Sequence, residues 1–212
     1  AAFTSAEKGR GGEETDADKR LKNALLNHTA GSSVSGIKEL SLDTGVTTLT
    51  LRRTLLPSLS LSALPSHVTT VNISSNNLGP HAFNAAMLFA CKSPTLTSLD
   101  ASNNFASSEC CVTLARLITS NPRIRSLTVQ NNPFTTTASK VIGDALRLNK
   151  TLECLNIASC GLVDAGDLFS GMSGHVSLTS LTVSNNPCGK TAWKALGGSL
   201  SAGLKLQTLS AR

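Results

Sequence analysis

The sequence predicts an α/β fold, a solenoid in which parallel strands form a concave sheet and helices cover the convex side. Three observations support this fold class. An apolar pattern typical of a short strand recurs at nearly constant intervals, a polar residue follows almost every occurrence, and an amphipathic helix pattern comes after it. With six Phe, one Trp and no Tyr, the core must be built from aliphatic side chains, which suits many thin and similar layers.

The repeating pattern is apolar-x-x-apolar-x-apolar-x-x-(Asn, Cys or Thr)-x-apolar. Consecutive occurrences begin 22, 28, 28, 28, 26 and 28 residues apart. Because five columns hold across five consecutive units, we interpret residues 46–212 as a repeat array of one short degenerate unit, five regular units and one truncated unit. The starts are Val46, Val68, Leu96, Ile124, Leu152 and Leu178, with the truncated start at Leu206.

The ends of a solenoid expose its apolar core unless they are capped. Residues 15–45 are predicted to cap the N-terminal end, with a helix that begins near the capping pair Thr15 and Asp18 and an irregular strand after it. Residues 1–14 are small and polar, and we expect them to be disordered. The truncated seventh unit either closes the other end or continues into further chain, and we favour continuation.

The strand pattern predicts which side chains enter the core. Alternate residues such as Leu99 and Ala101 point inward, and the residues between them face solvent on the concave side. The polar residue after each strand lies where the chain turns and where buried backbone groups need partners. We therefore expect a stack of side-chain hydrogen bonds between neighbouring turns, in which a thiol can serve as a weaker member. The residues of this asparagine ladder are Asn76, Asn104, Asn132, Cys160 and Asn186.

A helix pattern follows the strands. In the unit that begins at Ile124, one apolar stripe runs from Ala138 to Leu146 at helical spacing and includes Val141. Stripes of this kind would close the core on the convex side.

These columns resemble the leucine-rich repeat family, and in particular its ribonuclease-inhibitor-like subfamily, whose units of about 28 residues alternate a short strand with a helix. The resemblance covers roughly Val46 to Arg212. Within it, the segment 149–157 looks like the unit junctions of tropomodulin-type and nucleotide-sensor-type members. The resemblance implies a right-handed horseshoe and a function in binding proteins.

The sequence contains no pattern that indicates catalysis or a bound cofactor. The four His residues have no carboxylate or Cys at ligand spacing, and the six Cys residues form no C-x-x-C pair. No nucleophile elbow and no phosphate-binding glycine loop is present. We therefore expect no enzymatic activity, no metal and no cofactor.

Charge and hydropathy narrow the choice of partners. The formal net charge is +6, but the chain has no run of five like charges and no basic residues interleaved with aromatic ones. We therefore expect no nucleic-acid binding. No apolar stretch is long enough to span a membrane and no secretory leader is recognisable, so we expect a cytoplasmic protein that does not bind membranes.

The concave face is the main candidate binding surface. It is small, polar and nearly uncharged, so a partner would have to bring its own large side chains. Its candidate residues are Arg52, Asn72, Asp100, Thr128, Gln130, Asn156 and Thr182. Two other features compete with it: Trp193, which either packs on a neighbouring helix or anchors a ligand, and a group of basic residues. This group consists of Arg116, Arg123, Arg125, Lys140, Arg147 and Lys150.

We interpret the chain as a non-enzymatic, monomeric scaffold for protein–protein interaction, because repeat surfaces offer a large area without a reactive pocket. One alternative is a cytoskeletal, tropomodulin-like protein associated with actin. The unit length fits that role, but no actin-binding helix is recognisable before the repeats. A second alternative is a GTPase-activating regulator of the Ran type, which the basic body and the lack of an acidic tail disfavour.

Overall fold

The computed structural model of the chain describes residues 47–51, 66–135 and 137–211. The predicted disordered segment 1–14, the predicted cap 15–45 and the candidate binding residue Arg52 lie outside the described residues. Val46, at the start of the first predicted unit, also lies outside them. The division of the chain into these regions therefore stays a prediction.

Seven short parallel strands form one sheet in the described part of the chain. Their order in the sheet follows their order along the chain, so sequence neighbours are also sheet neighbours. The strands are β1 (Thr48–Thr50), β2 (Thr70–Asn72), β3 (Ser98–Asp100), β4 (Ser126–Thr128), β5 (Cys154–Asn156), β6 (Ser180–Thr182) and β7 (Thr208–Ser210). The predicted parallel sheet is confirmed.

Successive units stack in the register that the repeat pattern predicts. The middle residues of neighbouring strands are paired, so Leu99 of β3 pairs with Val71 of β2 and with Leu127 of β4. These side chains are almost fully buried. By contrast, Leu209 in the middle of β7 is 42% exposed, because among the described residues β7 has a neighbouring strand on one side only.

Backbone pairing continues beyond the strands into the turns. The N–H of Ile73 donates to the carbonyl of Asp100 (2.8 Å), and the N–H of Ala101 donates to the carbonyl of Thr128 (2.8 Å). The spacing between units therefore stays regular through the turn. As a consequence, equivalent side chains of successive units lie directly beside one another.

Helices alternate with the strands and close the core. They are α1 (Gly79–Lys92), α2 (Cys111–Ser120), α3 (Thr137–Leu148), α4 (Gly166–Gly171) and α5 (Gly189–Ser201), and a 3-10 turn at Ser108–Cys110 leads into α2. In α3 the predicted apolar stripe from Ala138 to Leu146 packs inward, with Val141 half buried. In α5 the apolar side chain of Leu200 is exposed, since no described helix packs beyond α5.

Helix α4 has six residues and belongs to the unit that is 26 rather than 28 residues long. It approaches α3 so closely that the two backbones meet at glycines. A Cβ atom on Gly143 would lie 2.3 Å from the carbonyl oxygen of Asp167, and one on Gly171 would lie 2.0 Å from the carbonyl oxygen of Gly143. Neither position can accept a side chain without movement of the backbone.

Two buried serine hydroxyls from the neighbouring helices bind the backbone of α4. The N–H of Leu168 donates to Ser139 Oγ (3.2 Å), and Ser199 Oγ donates to the carbonyl of Phe169 (2.6 Å). A helix this short leaves most of its backbone groups without partners inside the helix. Ser139 therefore satisfies an N–H that has no partner inside the helix, and Ser199 adds a second donor to a carbonyl that also accepts from the N–H of Met172 (3.2 Å).

We predict that Gly143→Ala destabilises the protein, because the added methyl group would overlap the carbonyl of Asp167. Overpacking of this kind lowers the free energy of unfolding by about 1 to 3 kcal/mol. The measurement is urea denaturation followed by circular dichroism. Gly197→Ala is the matched control, since Gly197 also lies within a helix and a Cβ there meets nothing within 4 Å. The control should gain up to about 1 kcal/mol, and an equal loss in both variants would contradict the close approach.

Candidate protein-binding surface

The asparagine side chains that follow the strands bind the backbone of two neighbouring turns at once. Asn104 Nδ2 donates to the carbonyl of Ala101 in its own unit (3.1 Å) and to the carbonyl of Ile73 in the preceding unit (2.9 Å). Its Oδ1 accepts from the backbone N–H of Asn76 (2.9 Å). Asn104 and Asn76 are buried, so these bonds replace water as the partner of buried backbone groups.

The same arrangement recurs along the stack. Asn132 Nδ2 donates to the carbonyl of Val129 (2.8 Å), and its Oδ1 accepts from the backbone N–H of Asn104 (3.1 Å). Asn186 Oδ1 accepts from the backbone N–H of Cys160 (3.0 Å). Each amide therefore joins one unit to the unit before it.

Cys160 occupies the ladder position in the unit that contains α4. Its thiol donates to the carbonyl of Val129 (3.3 Å) and to that of Ala158 (3.4 Å), but it has no carbonyl oxygen that could accept in the way an Asn side chain does. Burial raises the pKa of this thiol to about 11, and hydrogen bonds from the backbone of Asn132 and Asn131 offset part of the rise. The thiol therefore stays protonated and donates.

A second column of buried amides lies where the helices end. Asn121 Nδ2 donates to the carbonyl of Ala90 in the last turn of α1 (2.7 Å), and Asn149 Nδ2 donates to the carbonyl of Ile118 in the last turn of α2 (2.6 Å). The last carbonyls of a helix have no partner inside the helix, so each amide caps the helix of the preceding unit. This column is absent from the sequence predictions, although the spacing of 28 residues between Asn121 and Asn149 is a signal that could have revealed it.

His175 continues this second column in the next unit. Its Nδ1 accepts from the backbone N–H groups of Ser177 (3.3 Å) and Leu178 (3.1 Å), which assigns the ring proton to Nε2. That nitrogen is buried and has no hydrogen-bond partner among the described residues. Burial, with a smaller effect of the Lys150 charge, lowers the pKa of His175 to about 4.

On the concave face, three of the predicted site residues also shape the turns. The side-chain oxygens of Asn72, Asp100 and Asn156 accept from the backbone N–H two residues further along, at 2.9, 3.0 and 3.1 Å. Asn156 Nδ2 also donates to Gln130 Oε1 (3.1 Å). These side-chain groups therefore already have hydrogen-bond partners within the protein.

The predicted concave residues do come together in space. Asn72, Asp100, Thr128, Asn156 and Thr182 are paired across β2 to β6 and form one row with one residue per strand. Gln130 lies two residues beyond Thr128. Arg52 lies outside the described residues. Within the row, Thr128 and Thr182 carry half-buried hydroxyls for which no side-chain hydrogen bond is present among the described residues.

The described residues show no cluster of three or more His, Cys, Asp or Glu side chains that could hold a metal ion. The six cysteines are unpaired, and burial, together with the neighbouring Cys110 and Cys160, raises the pKa of the Cys111 thiol to about 12. None of the described helices is both long and apolar enough to cross a membrane.

Half of the predicted basic group is paired with acidic residues. Asp144 binds Lys140 at 3.3 Å and Arg147 at 2.9 Å, and Arg125 lies 3.7 Å from Glu153. The three remaining exposed members are Arg116, Arg123 and Lys150. The group is therefore less positive than its sequence suggests.

Trp193 packs against the preceding helix. Its ring lies 5.6 Å from that of Phe169, centroid to centroid, with the planes tilted by 42°. The side chain stays 43% exposed. The packing interpretation is confirmed, while part of the indole remains accessible.

Comparison with known proteins identifies the fold. No protein-family model matches the chain. The chain is 34% identical over 83 residues to the human NACHT, LRR and PYD domains-containing protein 14. This match covers 38% of the chain and 8% of the human protein, so it spans a small part of that relative.

Solved structures with a similar fold cover most of the chain. The tropomodulin C-terminal domain of Caenorhabditis elegans is 14% identical with a TM-score of 0.51, over 89% of this chain and 93% of that one. The leucine-rich repeat-containing protein LegL7 of Legionella pneumophila is 18% identical with a TM-score of 0.51, over 80% and 66%. The chain has the leucine-rich repeat fold. Its alternation of one strand with one helix fits the ribonuclease-inhibitor-like form, and the handedness of this leucine-rich repeat solenoid stays a prediction.

We predict that His175 makes the protein less stable as the pH falls from about 6.5 towards 4. In this range the unfolded chain, whose His has a pKa of 6.5, binds a proton that the folded state, with a pKa of about 4, does not bind. The free energy of unfolding should therefore fall by up to about 1.4 kcal/mol per pH unit from this group. Urea denaturation at a series of pH values measures the slope.

His175→Asn is the matched variant, because it places an amide where the two preceding units have Asn121 and Asn149. The difference in slope between the natural protein and this variant isolates His175 from the other histidines. Identical slopes in both proteins would show that His175 is not the group responsible.

Proposed function

We propose that this leucine-rich repeat protein is a non-enzymatic scaffold that binds a protein partner on its concave face. The observation that carries the proposal is the row of side chains with one residue on each strand from β2 to β6. Parallel strands lie about 4.8 Å apart, so the row offers an extended and ordered surface. Extended repeat surfaces of this kind bind partners over a large area without a reactive pocket.

The chemistry of the row favours a partner that supplies the large side chains. Thr128 and Thr182 offer small polar groups, and Asp100 is the charged member of the row among the described residues. Binding hot spots usually contain Trp, Tyr or Arg, which the described row lacks. The partner should therefore insert aromatic or basic side chains between the hydroxyl and amide groups.

The proposed setting is a monomer in the cytoplasm. Six unpaired cysteines, several of them with a thiol pKa raised by burial, fit a reducing compartment, since disulfides form mainly outside the cytosol. No cofactor is part of the proposal.

A cytoskeletal role is a second candidate. The fold of the chain is similar to that of the C-terminal domain of Caenorhabditis elegans tropomodulin over 93% of that domain, which is the observation behind this candidate. At 14% identity the similarity supports the fold alone, so an association with actin is tested directly by co-sedimentation with actin filaments. None of the similar proteins named above is a regulator of Ran-type GTPases, so nothing adds to that alternative.

We predict that Thr128→Arg/Thr182→Arg abolishes partner capture, because two long cations would fill the concave row. These positions are preferable to Asp100 and Asn156, whose side chains bind the backbone of their turns. The measurement is affinity capture from the source cells with the natural and the variant protein.

The matched control is Thr119→Arg/Ser201→Arg, which adds the same charge at exposed positions on the convex helices. The control should retain the partner. Loss of the partner in the control, or its retention in the concave variant, would contradict binding at the concave row.

A further inference from the structure

We propose that one rim of the solenoid is a docking surface for an acidic, leucine-containing segment of a partner protein. This inference rests on the proposed scaffold function and adds a charged contact to it. The surface, which we call the basic rim, consists of Arg123, Leu148, Lys150 and Val176. All four are exposed and lie in or beside the turns that lead from α2, α3 and α4 to the following strands.

Hydrogen bonds between successive turns bring these residues together. Ser177 Oγ donates to the backbone carbonyl of Lys150 (2.7 Å), so Val176 lies beside the turn that carries Lys150. Arg125 extends from the preceding unit and donates through Nη1 to the carbonyl of Thr151 (2.8 Å). The three turns are therefore in contact, and the basic rim is continuous across three units.

The two cations of the basic rim form no ion pair within the part of the chain that the structure describes. Among the described residues, no acidic group pairs with Arg123 or Lys150, whereas Arg125 is paired with Glu153. The helix carbonyls that could have attracted a cation at this end are bound by the amides of Asn121 and Asn149. Both charges are therefore available to a partner.

Three of the six acidic residues of the described chain lie at the opposite ends of the helices. Glu109 precedes α2, Asp164 precedes α4, and Asp167 lies in the first turn of α4. The acidic residues nearer the rim are Asp144, which is paired with Lys140 and Arg147, and Glu153, which is paired with Arg125. The rim side therefore carries a net positive charge, which would attract an acidic segment.

The basic rim also exposes apolar side chains beside its cations. Leu148 is 74% exposed and Val176 is 59% exposed. The positions equivalent to Leu148 in the two preceding units are Lys92 and Ser120. Both preceding units therefore have a polar side chain where this unit exposes a leucine. Apolar groups next to cations fit an acidic segment in which leucine recurs among Asp and Glu.

Other anionic partners fit this surface less well. Binding of single-stranded nucleic acid relies on aromatic side chains on which bases stack, and the basic rim contains none. Recognition of anionic lipids uses clusters of about four to eight basic residues, whereas the basic rim has two unpaired cations. The combination of few charges with exposed aliphatic groups therefore favours a protein segment.

The test uses a fluorescein-labelled peptide of four Asp-Glu-Leu-Glu repeats and fluorescence anisotropy. Arg123→Glu/Lys150→Glu should weaken its binding at least about tenfold, since two attractive charges become repulsive. Lys190→Glu/Lys194→Glu, on the exposed surface of α5, makes the same change in net charge elsewhere and should alter the affinity less than about twofold. A peptide of Asp-Glu-Ser-Glu repeats should bind more weakly, and Leu148→Ser/Val176→Ser should remove that preference.

The inference is overturned if the peptide binds the rim variant as tightly as the natural protein, or if the α5 variant loses as much affinity. Tighter binding of oligouridine or of phosphatidylserine vesicles than of the peptide would also overturn it. Should the charge-reversed variant fail to fold by circular dichroism, Arg123→Gln/Lys150→Gln replaces it. If capture of a cellular partner is lost in the concave variant and kept in the rim variant, the result supports the scaffold function and contradicts docking at the basic rim.

Discussion

The structure depends on the buried asparagine ladder that joins each turn to the next. A leucine-rich repeat unit cannot bury its own apolar face, so it needs neighbouring units on both sides. Stacking also buries the N–H and carbonyl groups of every turn, which the Asn side chains then bind in two units at once. The regular spacing set in this way aligns the strand residues into the concave row and brings the helix-to-strand turns into contact. Both proposed binding surfaces therefore follow from the ladder.

The unit from Leu152 to Ser177 departs from this regularity in several linked ways. Cys160 stands where the other described units have Asn, His175 stands in the second column after Asn149, and α4 has six residues. The short helix lies so close to α3 that position 143 has room only for a glycine. Serine hydroxyls from the neighbouring helices bind its backbone. The Cys160 thiol and the His175 ring make hydrogen bonds at positions where other units have an Asn side chain, so this unit still stacks on its neighbours. It also places Val176 beside Lys150, so the irregular unit forms part of the basic rim.

The repeat length, the strand register and the parallel sheet could be predicted because each follows from a pattern that recurs in the sequence. The second column was missed, because the 28-residue spacing of Asn121 and Asn149 shows that the position recurs but not that these side chains reach helix carbonyls 31 residues earlier in the chain. The concave residues were predicted as a group, but the double role of Asp100 and Asn156 in binding their own turns depends on backbone geometry. The exposure of Leu148 and Val176 depends on the path of the neighbouring turns, which spacing alone does not determine.

Residue-level amide hydrogen exchange tests the central role of the ladder most directly. The backbone N–H groups of Asn76 and Asn104 donate to Oδ1 atoms of the following unit, so they should exchange as slowly as the amides within the strands. The N–H of Asn132, whose counterpart in the next unit is the Cys160 thiol, should exchange faster, because sulfur is a weaker acceptor. Exchange at Asn104 as fast as in exposed loops would contradict the account.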